Sequence, residues 1–428
     1  MRPRQLPRTA AALAVAGVTV LGAGAAPAMG ASYVPGEVIV KYKDDALTGG
    51  AVGPAPAAKK MAVGRGSSVK ATVNRLRRDP RVQYAVPNYK ARIAGLIPND
   101  PGFRQQWNLQ AGFGINMPDA WDLAKARKAP GGKGVTIAVL DTGVAYQRFR
   151  RFRRAPDLNR FARGYDYVDG DRHPNDENGH GTHVAGTIAQ STGNRTGAAG
   201  IAYQAKIMPV RVLDSQGEGD TYSIARGINY AVRNKARVIN LSLEFNSSVR
   251  ASQIPDLLAA LRNARRKGVL VVGAAGNQAE TTVAYPARAR DVLAVSATTI
   301  RGCLAEYSNI GADVDLAAPG GGRDAVLSDN PYDASTCRAE LSGPFIYQQT
   351  FTSSVRNFGL PRGYEGTSMA APHVSGVAAL VIASKRLGRK PTPAQLTRHI
   401  QLTARDLGAP GLDSRYGYGL LDAAAALR

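Results

Sequence analysis

Three segments of the chain carry residue types that could perform nucleophilic chemistry together. Asp141 ends an apolar run at residues 135–141, His180 lies in a glycine-rich stretch, and Ser368 lies among small residues at 366–376. A serine hydroxyl is a weak nucleophile, so it needs a neighbouring base, and an imidazole base needs a carboxylate to fix its tautomer. The three segments therefore predict a triad in which Ser368 is the nucleophile, His180 the base and Asp141 the orienting acid.

Each segment also has a simpler interpretation when it is taken alone. An Asp after a strand is commonly a turn residue, and a Ser before a helix is commonly its N-cap. Asp-Thr-Gly at Asp141 also opens aspartic protease sites, but the chain contains no second Asp-Thr-Gly or Asp-Ser-Gly. His180 and His183 share a helix face and could bind a metal, yet no third ligand motif lies nearby in sequence. The presence of all three segments in one chain favours the triad.

These segments, together with a fourth that ends at Asn277, resemble the active-site signatures of the subtilisin-like serine peptidases, the subtilases. The resemblance covers residues 98–428. It implies an endopeptidase in which Ser368 attacks the scissile carbonyl, His180 transfers the proton to the leaving amine, and Asp141 stabilises the imidazolium. It also implies that the Asn277 side chain and the Ser368 backbone N–H form the oxyanion hole. A non-enzymatic relative would usually lack one triad residue, and none is missing.

The elements that must position these residues follow a pattern of alternating strands and helices. Five nearly continuous apolar runs are typical of strands buried on both faces; they lie at residues 135–141, 207–213, 238–243, 269–273 and 292–295. Helical periodicity lies between the runs, for example at residues 223–234. This alternation predicts an α/β fold with a mostly parallel central sheet in a three-layer αβα arrangement. In such sheets active residues gather at the carboxyl ends of the strands.

The N-terminal residues 1–28 are predicted to be a secretory signal peptide. Arg2, Arg4 and Arg8 precede a short apolar run and a small-x-small cleavage site. A membrane anchor is the alternative, but the run is short and rich in Ala and Gly. We therefore expect a secreted, extracellular protein. The net charge of +23 favours anionic surfaces, although about half of it lies in the first 97 residues.

Residues 29–97 are predicted to form a small α+β (ferredoxin-like) unit that is too small to bury much core alone. Its expected elements are strands at 36–42 and 82–86, a helix at 67–78 and a Gly/Ala/Pro-rich loop at 46–66. The unit resembles the inhibitory prosegment of subtilases. The resemblance implies a zymogen that cuts itself between about residues 89 and 100 and remains inhibited by its own prosegment.

Cys303 and Cys337 are the only cysteines of the chain. In the oxidising compartment that the signal peptide indicates, such a pair is expected to form a disulfide rather than to supply a catalytic thiol.

The resemblance also implies where the substrate binds, and here the sequence departs from the family pattern. Glu244 stands where the family has Gly, so a carboxylate at the rim of the primary pocket could favour basic side chains or could point to solvent. Both alternatives remain open. The implied substrate-binding residues are Ser242, Leu243, Glu244, Gly273, Ala275, Gly276 and Ala284.

Cofactors and partners follow from the same resemblance. No cofactor is expected for catalysis, whereas a structural calcium could bind at Asp157 and Asn194. The basic run at residues 148–154 could bind nucleic acid or acidic polymers, but a solvated loop insertion explains it more simply. The expected partners are therefore protein and peptide substrates and the chain's own prosegment. We expect a monomer without nucleic acid and without a membrane anchor.

Overall fold

The structure is a computed structural model that describes residues 33–43, 58–64, 66–89, 96–325, 337–339 and 341–428. The predicted signal peptide therefore lies outside the described residues. The chain divides into two units, Met1–Arg92 and Ile93–Arg428. Within the described ranges, no helix has both the length and the apolar character that crossing a membrane requires.

The first unit is a three-stranded antiparallel sheet with one helix. Its elements are β1 (Tyr33–Tyr42), β2 (Lys59–Ala62), α1 (Val69–Leu76) and β3 (Val82–Tyr89), with strand order β2-β1-β3. The helix begins at Ser68, whose hydroxyl accepts a hydrogen bond from the Ala71 N–H at 3.1 Å. Val40 and Val73 lie in the core between helix and sheet.

One expectation for this unit was wrong, because the predicted loop at 46–66 contains β2. Residues 46–57 and 65 of that loop lie outside the described residues. Lys59 and Lys60 are exposed, and β2 is an edge strand that forms only by pairing with β1. A strand of this kind carries no apolar alternation, so its sequence does not distinguish it from a loop.

The second unit contains a seven-stranded sheet in which every neighbouring pair of strands is parallel. Its strands are β4 (Thr136–Asp141), β5 (Tyr165–Asp166), β6 (Lys206–Arg211), β7 (Val238–Leu241), β8 (Leu270–Ala274), β9 (Leu293–Thr298) and β10 (Leu316–Pro319). Their order across the sheet is β10-β9-β8-β7-β4-β6-β5. A separate antiparallel pair consists of β11 (Thr350–Phe351) and β12 (Phe358–Gly359).

Helices cover both faces of the sheet. They are α2 (Met117–Ala126), α3 (His180–Ala189), α4 (Thr221–Arg233), α5 (Pro255–Arg266), α6 (Thr367–Ala383), α7 (Pro393–Leu402) and α8 (Ala423–Leu427). Side chains of β4 alternate between the two layers: Ile137 and Val139 pack with α3 and α6, whereas Ala138 and Leu140 pack with α4 and α5. This burial on both faces explains the continuous apolar run in the sequence.

The strand order determines where the functional residues meet. β4 lies between β6 and β7, so the chain continues from β4 to one side of the sheet and later returns to the other. A crevice forms at such a reversal, outside the carboxyl ends of the strands. Asp141 ends β4, Ser242 follows β7, and Asn277 follows β8, so these residues share one edge of the sheet.

Gly181 allows the start of α3 to approach the end of β4 closely. A Cβ atom on this residue would lie 3.0 Å from Asp141 Oδ1 and would overlap the Gly143 carbonyl oxygen. Glycine is therefore required here because there is no room for a Cβ atom, and not because of the backbone conformation.

We predict that Gly181→Ala displaces the first turn of α3 and separates His180 from Asp141. Overpacking of this kind typically destabilises a protein by about 1–3 kcal/mol. The expected result is a lower midpoint of chemical unfolding together with a large loss of the peptidase activity that the sequence predicts. A variant that keeps both the parental stability and the parental activity would show that the approach is looser than the structure indicates.

Candidate active site

Asp141 and His180 form the centre of the site. Asp141 is fully buried, and its Oδ1 accepts hydrogen bonds from His180 Nδ1 at 2.7 Å and from the Thr142 N–H at 2.8 Å. Asp141 Oδ2 is buried and has no partner in the described part of the chain. When Nδ1 donates to a carboxylate, the Nε2 atom of a neutral imidazole is left as a hydrogen-bond acceptor. The ring is therefore held in the tautomer that a general base needs.

The surroundings of His180 raise its pKa above the ordinary value of 6.5. Burial by itself lowers this pKa, because it penalises the charged imidazolium. The negative charge of Asp141 and its hydrogen bond, followed by the charge of Asp176, outweigh that effect. Asp141 thus both orients the ring and stabilises its protonated form.

Asp176 organises the loop that leads into α3, and the sequence analysis did not identify it. Its Oδ1 accepts from the Thr142 hydroxyl at 2.9 Å and from the Gly179 N–H at 2.8 Å. Its Oδ2 accepts from the Thr182 N–H at 2.9 Å and the Thr182 hydroxyl at 2.6 Å. This fully buried carboxylate therefore connects the end of β4 to the first turn of α3. An Asp four residues before His180 is the only signal in the sequence, and it resembles an ordinary turn residue.

Ser368 lies in the first turn of α6. Its hydroxyl donates to the Ser242 carbonyl oxygen at 3.2 Å. Pro372 lies four residues further along the same helix and has no N–H, so the Ser368 carbonyl lacks its usual helical donor. The Ser242 hydroxyl donates to that carbonyl at 2.7 Å instead. Two hydrogen bonds thus join the predicted nucleophile to the segment that follows β7.

One cleft of about 610 Å³ contains both the predicted nucleophile and the predicted base. Ser368 and His180 both line it, together with Leu243 and Glu244. The described residues show no hydrogen bond between Ser368 Oγ and His180 Nε2. Catalytic hydrogen bonds are often long or poorly aligned before substrate binds, so this geometry is compatible with a nucleophile and its base.

The side chain of Asn277 is fixed at the same edge of the sheet. Its Oδ1 accepts from the Thr367 N–H at 2.8 Å and from the Thr367 hydroxyl at 2.9 Å. These two donors identify the oxygen end of the amide and so direct its NH₂ group away from Thr367. Asn277 Nδ2 donates to Glu244 Oε1 at 3.3 Å.

The predicted substrate-binding residues fall into two groups. Ser242, Leu243 and Glu244 line the cleft, and Gly276 lies against the carboxylate of Glu244. The remaining three are buried behind this surface and do not line the cleft. They are Gly273, which faces Ala287 and Val292, and Ala275 and Ala284, which share a backbone hydrogen bond of 2.8 Å.

The other two histidines of these motifs are buried and hydrogen-bonded. His183 Nε2 lies 2.9 Å from the Ile346 carbonyl oxygen, and burial lowers its pKa to about 3. His373 Nδ1 lies 2.8 Å from the Met369 carbonyl oxygen, and burial lowers its pKa to about 4. His180 and His183 have separate partners, which favours the triad over a metal-binding pair.

Asp157 and Asn194, the residues predicted to bind calcium, are in contact. Asn194 Nδ2 donates to Asp157 Oδ1 at 2.6 Å, and Gln190 Nε2 donates to Asp157 Oδ2 at 2.9 Å. Burial, assisted by the nearby charge of Asp100, raises the pKa of Asp157 to about 6. Gln190 Oε1 is buried without a partner in the described structure. Two buried carboxylates and an unpartnered amide oxygen fit a hard cation such as Ca²⁺.

Cys303 and Cys337 are joined by a disulfide, with 5.8 Å between their Cα atoms. Together with Asp324 they form the one close group of three potential metal-ligating residues among the described positions. Their sulfur atoms are bonded to each other, so they are not available as thiolate ligands.

The arginine-rich run forms a tight turn. Phe149 and Phe152 pair through reciprocal backbone hydrogen bonds, so Arg150 and Arg151 occupy the two-residue turn between them. Arg151 is exposed and forms an ion pair with Glu177, three residues before His180.

Family comparisons place this geometry in a known class. The subtilase family model matches residues 132–419, and the fervidolysin N-terminal prodomain model matches residues 22–88. The chain belongs to the subtilase family. It is a subtilisin-like serine protease with an N-terminal prodomain, which confirms the family and the three-layer α/β fold expected from the sequence.

Individual relatives agree with this assignment. The thermophilic serine proteinase of Bacillus sp. (strain AK1) is 36% identical over 400 residues, which cover 90% of this chain and 86% of that protein. Thermitase of Thermoactinomyces vulgaris is 38% identical over 291 residues, covering 68% of this chain and 86% of thermitase. A solved protease structure from Pseudoalteromonas arctica matches with a TM-score of 0.61 and 34% identity, covering 77% of this chain and 98% of that one.

The contacts of His180 predict the pH dependence of activity. Only the neutral imidazole accepts a proton, so kcat/KM should rise with pH through the pKa of His180. Because that pKa is raised, the midpoint should lie above about 6.5. In Asp141→Asn the stabilising charge is lost, so the midpoint should move to lower pH while kcat falls by about four orders of magnitude.

The measurement is kcat/KM on a small neutral peptide substrate between pH 4 and 9. A rate that climbs as the pH is lowered from 7 to 4 would contradict the role of His180 as base.

Proposed function

We propose that the protein is a secreted endopeptidase, made as a zymogen, that hydrolyses peptide bonds through an Asp141/His180/Ser368 triad. The observation that carries the proposal is the 2.7 Å hydrogen bond between Asp141 Oδ1 and His180 Nδ1 in the cleft that Ser368 also lines. The family assignment supports the class of reaction, and the geometry supports the roles of these three residues.

The proposed reaction has two halves. Ser368 Oγ attacks the scissile carbonyl carbon while His180 Nε2 takes the hydroxyl proton, and the imidazolium then gives that proton to the leaving amine as the C–N bond breaks. In the second half, water attacks the acyl-enzyme, His180 takes a proton from the water, and Ser368 leaves with that proton. Asp141 remains ionised and stabilises the imidazolium in both halves.

The developing oxyanion is proposed to bind between Asn277 Nδ2 and the backbone N–H of Ser368. The Ser368 N–H lies in the first turn of α6, where backbone N–H groups have no helical acceptor and the helix dipole favours negative charge. The contacts of Thr367 with Asn277 Oδ1 hold the amide so that its nitrogen is the end left to donate. Donors fixed in advance stabilise the transition state without reorganising during the reaction.

We propose that the precursor consists of a signal peptide at 1–28, an inhibitory prosegment at 29–97 and a peptidase domain at 98–428. The match to a prodomain family at residues 22–88 supports the prosegment. An intramolecular cut by Ser368 would release it, because holding the scissile bond within the same chain removes most of the cost of association.

We further propose that a structural calcium ion is held by Asp157, Asp100 and Asn194. The ion would neutralise the two buried carboxylates. It would also coordinate the amide oxygen of Gln190, an atom that has no partner in the described structure. Its role would be to stabilise the loop at residues 193–197, far from the proton transfers of the reaction.

The direct test of the proposed nucleophile is chemical modification. A serine-directed phosphonylating reagent should abolish activity and add its phosphonyl group to Ser368, as located by peptide mapping. Ser368→Ala should be inactive and unlabelled. Inactivation by a thiol reagent while Ser368 stays unmodified would contradict the assignment.

Maturation gives a second prediction. Ser368→Ala, expressed with its own signal peptide and without other proteases, should lose the signal peptide but keep the prosegment joined to the peptidase domain. Mass spectrometry should find a chain that begins near residue 29 and ends at Arg428. If this variant still loses the residues up to about 97, processing is not autocatalytic.

Calcium removal gives a third prediction. Excess chelator should lower the thermal unfolding midpoint more than it lowers the initial rate, because the ion would stabilise a loop and would not touch the substrate. The matched variant Asp157→Asn should unfold at a lower temperature than the parent and should no longer respond to chelator. An unfolding midpoint of the parent that is unchanged by chelator would argue against the site.

A further inference from the structure

Glu244 extends from one side of the substrate cleft to the segment that follows β8. Its Oε2 accepts from the Asn277 backbone N–H at 2.9 Å and from Gln278 Nε2 at 3.3 Å. Its Oε1 accepts from Asn277 Nδ2 at 3.3 Å. The carboxylate is therefore held by three N–H groups that belong to a different strand connection from its own.

Gly276 shows how closely the carboxylate approaches that opposite segment. A Cβ atom on Gly276 would lie 2.6 Å from Glu244 Oε2, and the glycine has a φ of +118° that other residues rarely adopt. No side chain can therefore separate the Glu244 carboxylate from the backbone at this point. The side chain of Glu244 occupies the space between the two segments, and it is half-buried there.

The resemblance to subtilases implies that both segments, through Ser242 to Glu244 and through Gly276, line the primary pocket, which receives the substrate side chain that precedes the scissile bond. We infer that Glu244 closes this pocket at its mouth and restricts the protease to substrates with a small residue, such as Gly, Ala or Ser, before the scissile bond. The inference rests on the proposed function, because it needs Ser368 to mark the scissile bond.

Glu244 would exclude large side chains for both a steric and a polar reason. A large apolar side chain could enter only if Glu244 moved away, and the carboxylate would then lose three hydrogen bonds on the Asn277 side of the cleft. A small side chain leaves those bonds intact. Specificity of this kind depends on the size of residue 244 more than on its charge.

A pocket that attracts Lys or Arg is the main alternative. Both oxygens of the carboxylate already accept hydrogen bonds, and one of the donors is a backbone N–H that cannot move away. A cationic side chain would have to replace donors that are already present, so it gains less than it would from a free carboxylate.

The proposed oxyanion contact remains possible with Glu244 in place. The Asn277 amide carries two N–H groups, and Glu244 accepts from only one of them. The second is left for the substrate. A closed pocket and a working oxyanion hole are thus compatible in one arrangement.

The test compares three peptide substrates that differ only in the residue before the scissile bond, which is Ala, Phe or Lys. The parent should cleave the Ala peptide with a higher kcat/KM than the Phe peptide. Glu244→Gly should raise the Phe/Ala ratio of kcat/KM by about tenfold or more, since a few methylene-sized volumes in a pocket discriminate by that amount. Glu244→Ala should change the ratio in the same direction.

Two control variants distinguish the effect of the size of residue 244 from the effect of its charge and from a general loosening of the cleft. Glu244→Gln keeps the length of the side chain and one accepting oxygen, so it should change the Phe/Ala ratio much less than Glu244→Gly does. Glu280→Gly makes the same chemical change at an exposed acidic residue of the neighbouring segment and should also leave the ratio unchanged.

Two results would overturn the inference. One is a parent that cleaves the Phe and Ala peptides equally well, with a ratio that neither Glu244→Gly nor Glu244→Ala alters. The other is a preference for the Lys peptide that disappears in Glu244→Gln, which would identify a charged pocket. Phosphonylation of Ser368 should be measured in every variant. Absent labelling of the parent means that the proposed function itself has failed, whereas labelled enzymes with unaltered ratios reject only the closed pocket.

Discussion

The buried carboxylate of Asp141 is the constraint on which the rest of the site depends. A charge inside a protein is tolerated only when it is paired and hydrogen-bonded, and Asp141 is fully buried at the end of β4. His180 supplies the partner, so the first turn of α3 must approach the end of β4. Gly181 provides the space for that approach, and Asp176 holds the preceding loop in place. The same contacts that make the buried charge tolerable also hold the imidazole in the orientation that the proposed base requires.

A second set of contacts joins the proposed nucleophile, Ser368, to the segment that follows β7 and lines the cleft. Pro372 removes the helical donor of the Ser368 carbonyl, and the Ser242 hydroxyl replaces it. Ser242 begins the segment that also contains Glu244, and Glu244 is bonded to Asn277. The proposed nucleophile, the cleft wall and the proposed oxyanion donor are therefore connected through hydrogen bonds.

Much of this arrangement could be predicted from the sequence because it is encoded locally. β4, β7 and β8 are nearly continuous apolar runs. β4 ends at the predicted site residue Asp141, and β7 and β8 are followed at once by the predicted substrate-binding residues Ser242 and Ala275. The features that the sequence did not predict depend mainly on contacts between residues far apart in the chain. β2 and β10 were not predicted as strands, and β10 is only four residues long. Asp176 and Asp100 resemble turn residues until the chain folds. The partner of Glu244 lies 33 residues further along the chain, so no sequence pattern indicated which way its carboxylate would point.

The contacts of Asn277 show how substrate preference in the proposed pocket could change without disturbing the proposed oxyanion donor. Its Oδ1 is held by two donors from Thr367, and these do not involve Glu244. A substrate side chain that displaced Glu244 would remove one acceptor from Nδ2 but would leave the amide oriented by its oxygen end. The cost of a large side chain would therefore arise mainly from the lost hydrogen bonds of Glu244 and from crowding in the pocket. If Asn277 is the oxyanion donor and Glu244 the pocket residue, as proposed, the substrate preference could change through residue 244 while the transition-state contacts persist.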